Sequence, residues 1–175
     1  KISSLTTANL NTVAIRFPNH KIIRFVLKYL NFPLAMPSAN LSSGLSPVSA
    51  SDVFEEFKNK ISIIINGGKS KFGIESTVID LTKKPRILRP GIINSNKIRN
   101  ILKIKFSKKI SKIKSPGMLR KHYSPGIPVI LNRKPTNIKY AHIIFGKKYK
   151  NKKNTFNLSK KKDLKEAASN LYKTM

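Results

Sequence analysis

Short apolar runs closed by turn residues constrain this chain more than any other feature. "TVAIRF" (residues 12–17), "ISIIIN" (61–66), "STVIDL" (76–81), "RILRP" (86–90), "IPVIL" (127–131) and "AHIIF" (141–145) stop at Pro, Gly, Asn or a Thr-Lys-Lys-Pro turn. Each has the length and β-branched content of a strand. "FPLAM" (32–36) contains Pro33 and reads as a strand end or an edge. Helical spacing separates these runs. In "NHKIIRFVLKYLN" (19–31), Ile22, Ile23, Val26, Leu27 and Leu30 fall on one face and Asn19 is placed to cap it. "SASDVFEEFKNK" (49–60) predicts a helix capped by Ser51 or Asp52, with Asp52 and Glu55 at capping-box spacing. "NSNKIRNIL" (94–102) turns Ile98, Ile101 and Leu102 inward, and residues 160–175 do the same with Leu164, Ala167, Ala168 and Leu171. Helices interspersed with strands predict an α/β or α+β class.

Charge narrows the partners. Thirty-six Lys and Arg face 7 Asp and Glu, for a net charge of +29 over 175 residues. Such an excess suits a nucleic-acid partner, whose phosphates release counterions to clustered cations. Compositional drift toward Lys, Ile and Asn is the main expected cause, compatible with an RNA contribution, since Lys outnumbers Arg although phosphate forks favour Arg. The chain has no cysteine, which excludes disulfides, thiolate chemistry and Cys-ligated zinc and fits a reducing, cytoplasmic setting. No run approaches the ~20 apolar residues of a membrane span.

Acid/base equipment is sparse. Asp52, Glu55, Glu56, Asp163 and Glu166 lie on predicted helices, which leaves Glu75 and Asp80 in constrained segments. His20, His122 and His142 are far apart, and no metal-ligand spacing occurs. His20 reads as a first-turn helix residue. Anion-binding equipment is richer. "AMPSANLSSGLSPVSASDV" (35–53) sets Ser38, Asn40, Ser42, Ser43 and Ser46 ahead of a helix start, where backbone N–H groups and small side chains admit a phosphate. The plain alternative is a capped surface loop. "GGKSKFGIESTVIDL" (67–81) has three glycines ahead of Ser76 and Thr77 at a strand entrance, which suits a ligand or a Gly-rich hairpin connection. Arg89 ends a strand against Pro-Gly, pre-placed for a phosphate or carboxylate fork or else one more surface cation. Arg16 ends the first strand, as a carboxylate anchor or a surface residue.

Taken in order, "TVAIRFPNH", "PLAMPSANLSSGLSPVSASDV", "NGGKSKFGIESTVIDL", "ILRPGII" and "SPGMLRKHYSPGIPV" resemble the YrdC-type threonylcarbamoyl-AMP synthase family, in its long two-domain form. "NLSKKKDLKEAASNLYK" resembles the appended domain. The resemblance implies a partial YrdC-like twisted α/β sheet with helices over residues 1–103, a linker over 104–126, and part of a small Rossmann-like α/β domain over 127–175. It implies a nucleotidyltransferase that combines ATP, L-threonine and bicarbonate, with Mg2+ as the expected ATP counter-ion, into threonylcarbamoyl-AMP and pyrophosphate. That product feeds the tRNA threonylcarbamoyl-transferase machinery that modifies adenosine 37. By motif, Thr12, Ser38, Ser46, Arg89, His122 and Tyr123 are implied ATP contacts. Arg16, Met36 and Ser76 are implied threonine contacts. No residue is implied as a catalytic acid or base.

Ser42-Ser43 stand where the family usually has Ser-Gly, with Gly44 one place later, so a left-handed backbone at position 43 is not expected. Leu119, Arg120 and Lys121 depart from the usual linker. The family's Pro-Thr-rich strand and its Lys/Arg motif are not found in these residues. The expectation is therefore a fragment or shortened form. The competing expectation is a non-catalytic RNA-binding module, with double-stranded RNA or tRNA as partner.

Overall fold

The computed structural model describes residues 2–107, 123–150 and 152–175. The chain packs as two compact units, Lys1–Ser38 and Ala39–Met175. His122 and most of the expected linker lie outside the described residues.

The first unit holds two helices, α1 (Ser4–Thr7) and α2 (Lys21–Lys28). Ser3 caps α1 through its hydroxyl, which accepts from the Leu5 amide. Helix α2 starts later than the sequence predicts. His20, not Asn19, is its N-cap, and the imidazole makes no capping bond. Residues 12–17 and 32–36 form no strand.

In the second unit, α3 (Ala50–Phe57) runs into a short 3₁₀ turn, Lys58–Lys60. Its cap is Ser49, with Asp52 as the reciprocal member of the capping box, rather than Ser51 or Asp52 with Glu55. Strands β1 (Val78–Asp80) and β2 (Arg86–Arg89) pair antiparallel. A bulge between Val78 and Ile79 sets Val78 opposite Arg89 and Ile79 opposite Ile87. The hairpin is closed by buried Asp80, whose Oδ2 pairs with Arg86 at 3.0 Å while Oδ1 accepts from the Thr82 amide and hydroxyl. Helix α4 (Ser95–Leu102), capped by Asn94, buries Ile98 and leaves Ile101 68% exposed, against the predicted inward face.

Strands β3 (His142–Ile144) and β4 (Thr155–Asn157) form a parallel pair. The sequence predicts β3 but not β4, and the predicted strand at 127–131 is absent. Helix α5 (Leu164–Thr174) is capped by Asp163, which accepts from the amides of Lys165 and Glu166. It buries Ala167 but leaves Leu164 76% exposed, so the expected inner face is shorter than its periodicity suggests. Ser159, the most buried polar residue among those described, ties the end of β4 to α5: its hydroxyl donates to Glu166 and accepts from the Asp163 amide. Among the described residues the buried apolar core is Val48, Ile98, Ile144 and Ala167. The class is mixed α/β, as expected, built from small sheets and helices.

Candidate functional site

Three loops of the second unit converge on one guanidinium. The first precedes α3. The Asn40 amide nitrogen bonds the carbonyls of Leu41 (2.7 Å) and Gly44 (3.2 Å), and the Leu41 amide bonds Glu56 on α3 (2.8 Å). Asn40 Oδ1 is buried and has no partner among the described residues. Ser43 takes the left-handed conformation, φ 69°, against expectation. Its carbonyl accepts from the Ser124 amide at 2.9 Å, which fastens the stretch after Tyr123 to this loop. The Asp52 carboxylate accepts from the amides of Val48 (2.9 Å) and Ser49 (3.0 Å), so the loop is locked to the first turn of α3. Burial pushes the Asp52 carboxyl up, but hydrogen bonds from Val48 and Ser49 outweigh it and hold the group below its ordinary 3.8.

The glycine-rich loop supplies Glu75 and Ser76. It is stitched to the segment after β2: the Thr77 hydroxyl donates to the Ile93 carbonyl (2.8 Å), and Gly91 lies against its backbone. A Cβ on Gly91 would sit 2.4 Å from the Thr77 nitrogen and 2.5 Å from the Glu75 carbonyl oxygen, so only glycine allows this approach.

Arg89, at the end of β2, meets the glycine-rich loop and the stretch at Tyr123, and reaches the loop before α3 through Glu75. Its Nε donates to the Ser76 carbonyl (2.9 Å), one terminal nitrogen to the Ser76 hydroxyl (3.0 Å) and the other to the Tyr123 hydroxyl (2.6 Å). That last nitrogen also lies 3.5 Å from Glu75 Oε2. Glu75 accepts the Ser46 hydroxyl through its other oxygen. The Arg89 and Glu75 side chains are mostly buried, so the pair is only weakly screened by water. The cluster therefore offers a pre-oriented guanidinium, three hydroxyls and one carboxylate.

Of the nine residues singled out from sequence, Ser46, Ser76, Arg89 and Tyr123 come together here. Thr12, Arg16, Met36 and Ser38 belong to the first unit, where Thr12 is half-buried and the other three are exposed. His122 lies outside the described residues. Two members of the cluster were not predicted. Glu75 bridges Ser46 and Arg89, and its sequence signal was that it is one of two carboxylates off the helices. Tyr172 of α5 stacks on Tyr123, with centroids 6.3 Å apart and planes 22° apart. Burial, then the nearby Glu75 charge, pushes the Tyr172 phenol up to about 12. Nothing in the sequence links this helix to the site.

Fold and motifs agree with the comparisons: the chain belongs to the Sua5/YciO/YrdC family. The family model described as "Telomere recombination" matches residues 1–91, and "Threonylcarbamoyl-AMP synthase, C-terminal domain" matches 93–175. A threonylcarbamoyl-AMP synthase from Pyrococcus abyssi is 40% identical over 141 residues, 77% of this chain and 42% of the relative. One from Bacillus subtilis is 38% identical over 136 residues, 74% of this chain and 39% of the relative. The chain thus spans about two fifths of the length of these relatives. The crystal structure of P. abyssi Sua5 complexed with L-threonine superposes with a TM-score of 0.80 at 33% identity, covering 98% of this chain and 56% of that one.

Proposed function

We propose that this chain acts, in the cytoplasm, in L-threonylcarbamoyladenylate synthesis for tRNA N6-threonylcarbamoyladenosine. L-Threonine and bicarbonate give a threonylcarbamate. Its carboxylate attacks the α-phosphorus of ATP, a new O–P bond forms, and the α–β bridging bond breaks to release pyrophosphate. The attacking group is already anionic, so no protein base is needed, in keeping with the shortage of such groups. What the reaction requires is fixed positive charge for the phosphates. The observation that carries this reading is Arg89, held by Ser76, Glu75 and Tyr123 beside Ser46. Thr12, Ser38, Ser46, Arg89, His122 and Tyr123 are the proposed ATP contacts. Arg16, Met36 and Ser76 are the proposed threonine contacts. The relative complexed with threonine supports the second substrate. A solved P. abyssi Sua5 variant has a neighbouring His and Tyr both replaced by Ala, and His122-Tyr123 is the one such pair here. The domain organisation proposed with this reading is 1–103, a linker 104–126 and 127–175.

The described residues hold no cluster of three or more metal-ligating side chains, and Glu75 is engaged by Ser46 and Arg89. The residues therefore fit Mg2+ as an ion carried by the ATP phosphates. The test is pyrophosphate release by the intact protein. Release should require threonine and bicarbonate together, and Arg89→Ala should lower kcat/KM for ATP about 10- to 100-fold. Release indifferent to threonine would sink the reading.

A second reading, contact with tRNA or double-stranded RNA, is favoured by the charge pattern: no Asp or Glu occurs between Asp80 and Asp163.

A further inference from the structure

Arg89 is approached from the side of α5 as well as from the glycine-rich loop and Tyr123. The glycine-rich loop and α5 touch backbone to backbone at Gly73: a Cβ there would lie 2.7 Å from the Ala168 carbonyl oxygen and 2.8 Å from the Ser169 Cα. Gly73 has φ 60°, a conformation that also favours glycine. Lys69 Nζ adds a bond to Asn170 Oδ1 at 3.3 Å. These contacts bring the Tyr172 ring against Tyr123, whose hydroxyl receives the 2.6 Å bond from Arg89. Tyr123 itself sits at φ 57°, and its following residue is bonded to Ser43. A bulky residue held left-handed persists where its surroundings over-determine it, and the Tyr172 ring is one of the contacts that do so here. The Tyr172 hydroxyl lies near the Glu75 and Arg89 charges but makes no hydrogen bond among the described residues, so its contact with Tyr123 is through the ring.

We infer that Tyr172 is a positioning residue of the Arg89 site. Its ring backs Tyr123 and so fixes the hydroxyl that orients one guanidinium nitrogen, which makes α5 a wall of the site. Docking of α5 and pre-orientation of Arg89 are then linked. A ligand that needs an oriented Arg89 binds more weakly when the ring is lost, because binding must supply the ordering. The inference rests on the reading that Arg89 meets ATP phosphates.

The experiment measures ATP affinity and steady-state kinetics for the intact protein and for Tyr172→Phe, Tyr172→Leu and Arg89→Ala, with melting curves as the folding control. Tyr172→Phe should stay within about twofold of wild type, because the ring remains. Tyr172→Leu should raise Kd and KM for ATP about fivefold, with kcat at saturating ATP little changed. Wild-type ATP affinity in folded Tyr172→Leu, beside a defective Arg89→Ala, would overturn the inference and leave the functional reading standing. Tyr172→Phe as weak as Tyr172→Leu would overturn it as well. ATP binding unaffected by Arg89→Ala would instead refute the functional reading, and this inference with it. If Tyr172→Leu does not fold, Gly73→Ala displaces α5 without altering a side chain of the cluster. Unchanged ATP affinity there would be equally fatal.

Discussion

At Ser43 the backbone takes φ 69° although the residue carries a Cβ. The left-handed region costs an L-residue ~1 kcal/mol or more. Here the loop imposes it, because that turn aims the Ser43 carbonyl at the Ser124 amide, 2.9 Å away. Ser43→Gly relieves the strain and keeps the carbonyl, while enlarging the entropy of the unfolded chain. The two effects leave a net stabilisation of up to ~1 kcal/mol, read as a rise in the denaturation midpoint. A lower midpoint would mean that the serine side chain supports the turn. The sequence marked this position as a departure from the family pattern. It could not reveal that a long-range bond to Ser124 overrides the local preference. Arg89 and Ser76 were legible because a strand end and a strand entrance are places where side chains meet ligands. Glu75 stood out only as a carboxylate without a helix to explain it. Its bridge between Ser46 and Arg89 spans three loops, and no local pattern encodes such a contact.

Among the elements of the described residues, four of the five α-helices were legible, whereas four of the seven expected strands do not form. A helix carries its own hydrogen bonds, so periodicity and a cap suffice to announce it. The error at α3 was one of register: Ser49, Ser51 and Asp52 are all good caps, and Ser49 wins because Asp52 then reaches back to its amide. This cap makes the helix sensitive to acid. The Asp52 pKa in the fold lies below its ordinary 3.8, and so does that of Asp163 at the start of α5, where the amides of Glu166 and Lys165 hold the carboxylate. A carboxyl with a depressed folded pKa contributes fully above the unfolded value. It loses that contribution as pH falls through the folded value. Thermal stability should therefore begin to drop as pH falls below about 4, near the unfolded carboxyl value, beyond what net charge explains. Asp52→Asn should flatten part of the drop while costing about 1 kcal/mol or less at neutral pH. Equal acid sensitivity in Asp52→Asn would remove Asp52 from the account, and circular dichroism melts at several pH values decide it.

Strands behave differently because a ladder needs a partner, and this governs the whole molecule. "ISIIIN" has the composition of a buried strand, yet Ile63 is 78% and Ile65 63% exposed, and the segment is unpaired among the described residues. The first unit shows the same thing at residues 12–17, where Ile15 and Phe17 lie in solvent. By contrast "STVIDL" and "RILRP" find each other across a short turn and become β1 and β2. β-Composition records readiness to pair, and pairing itself is a long-range event with no local signature. The consequence can be measured on this chain by amide hydrogen exchange. The amides of the β1–β2 ladder and of α5 should be the most protected. Those of residues 61–66 and 12–17 should exchange within about tenfold of an unstructured peptide, since solvent reaches them without an opening event. A hydrophobic dye should bind as well, because the described core is confined to four residues while large apolar side chains remain exposed on both units. Slow exchange at 61–66 would show that this backbone is paired in solution, and the segment would then be the strand that its sequence describes.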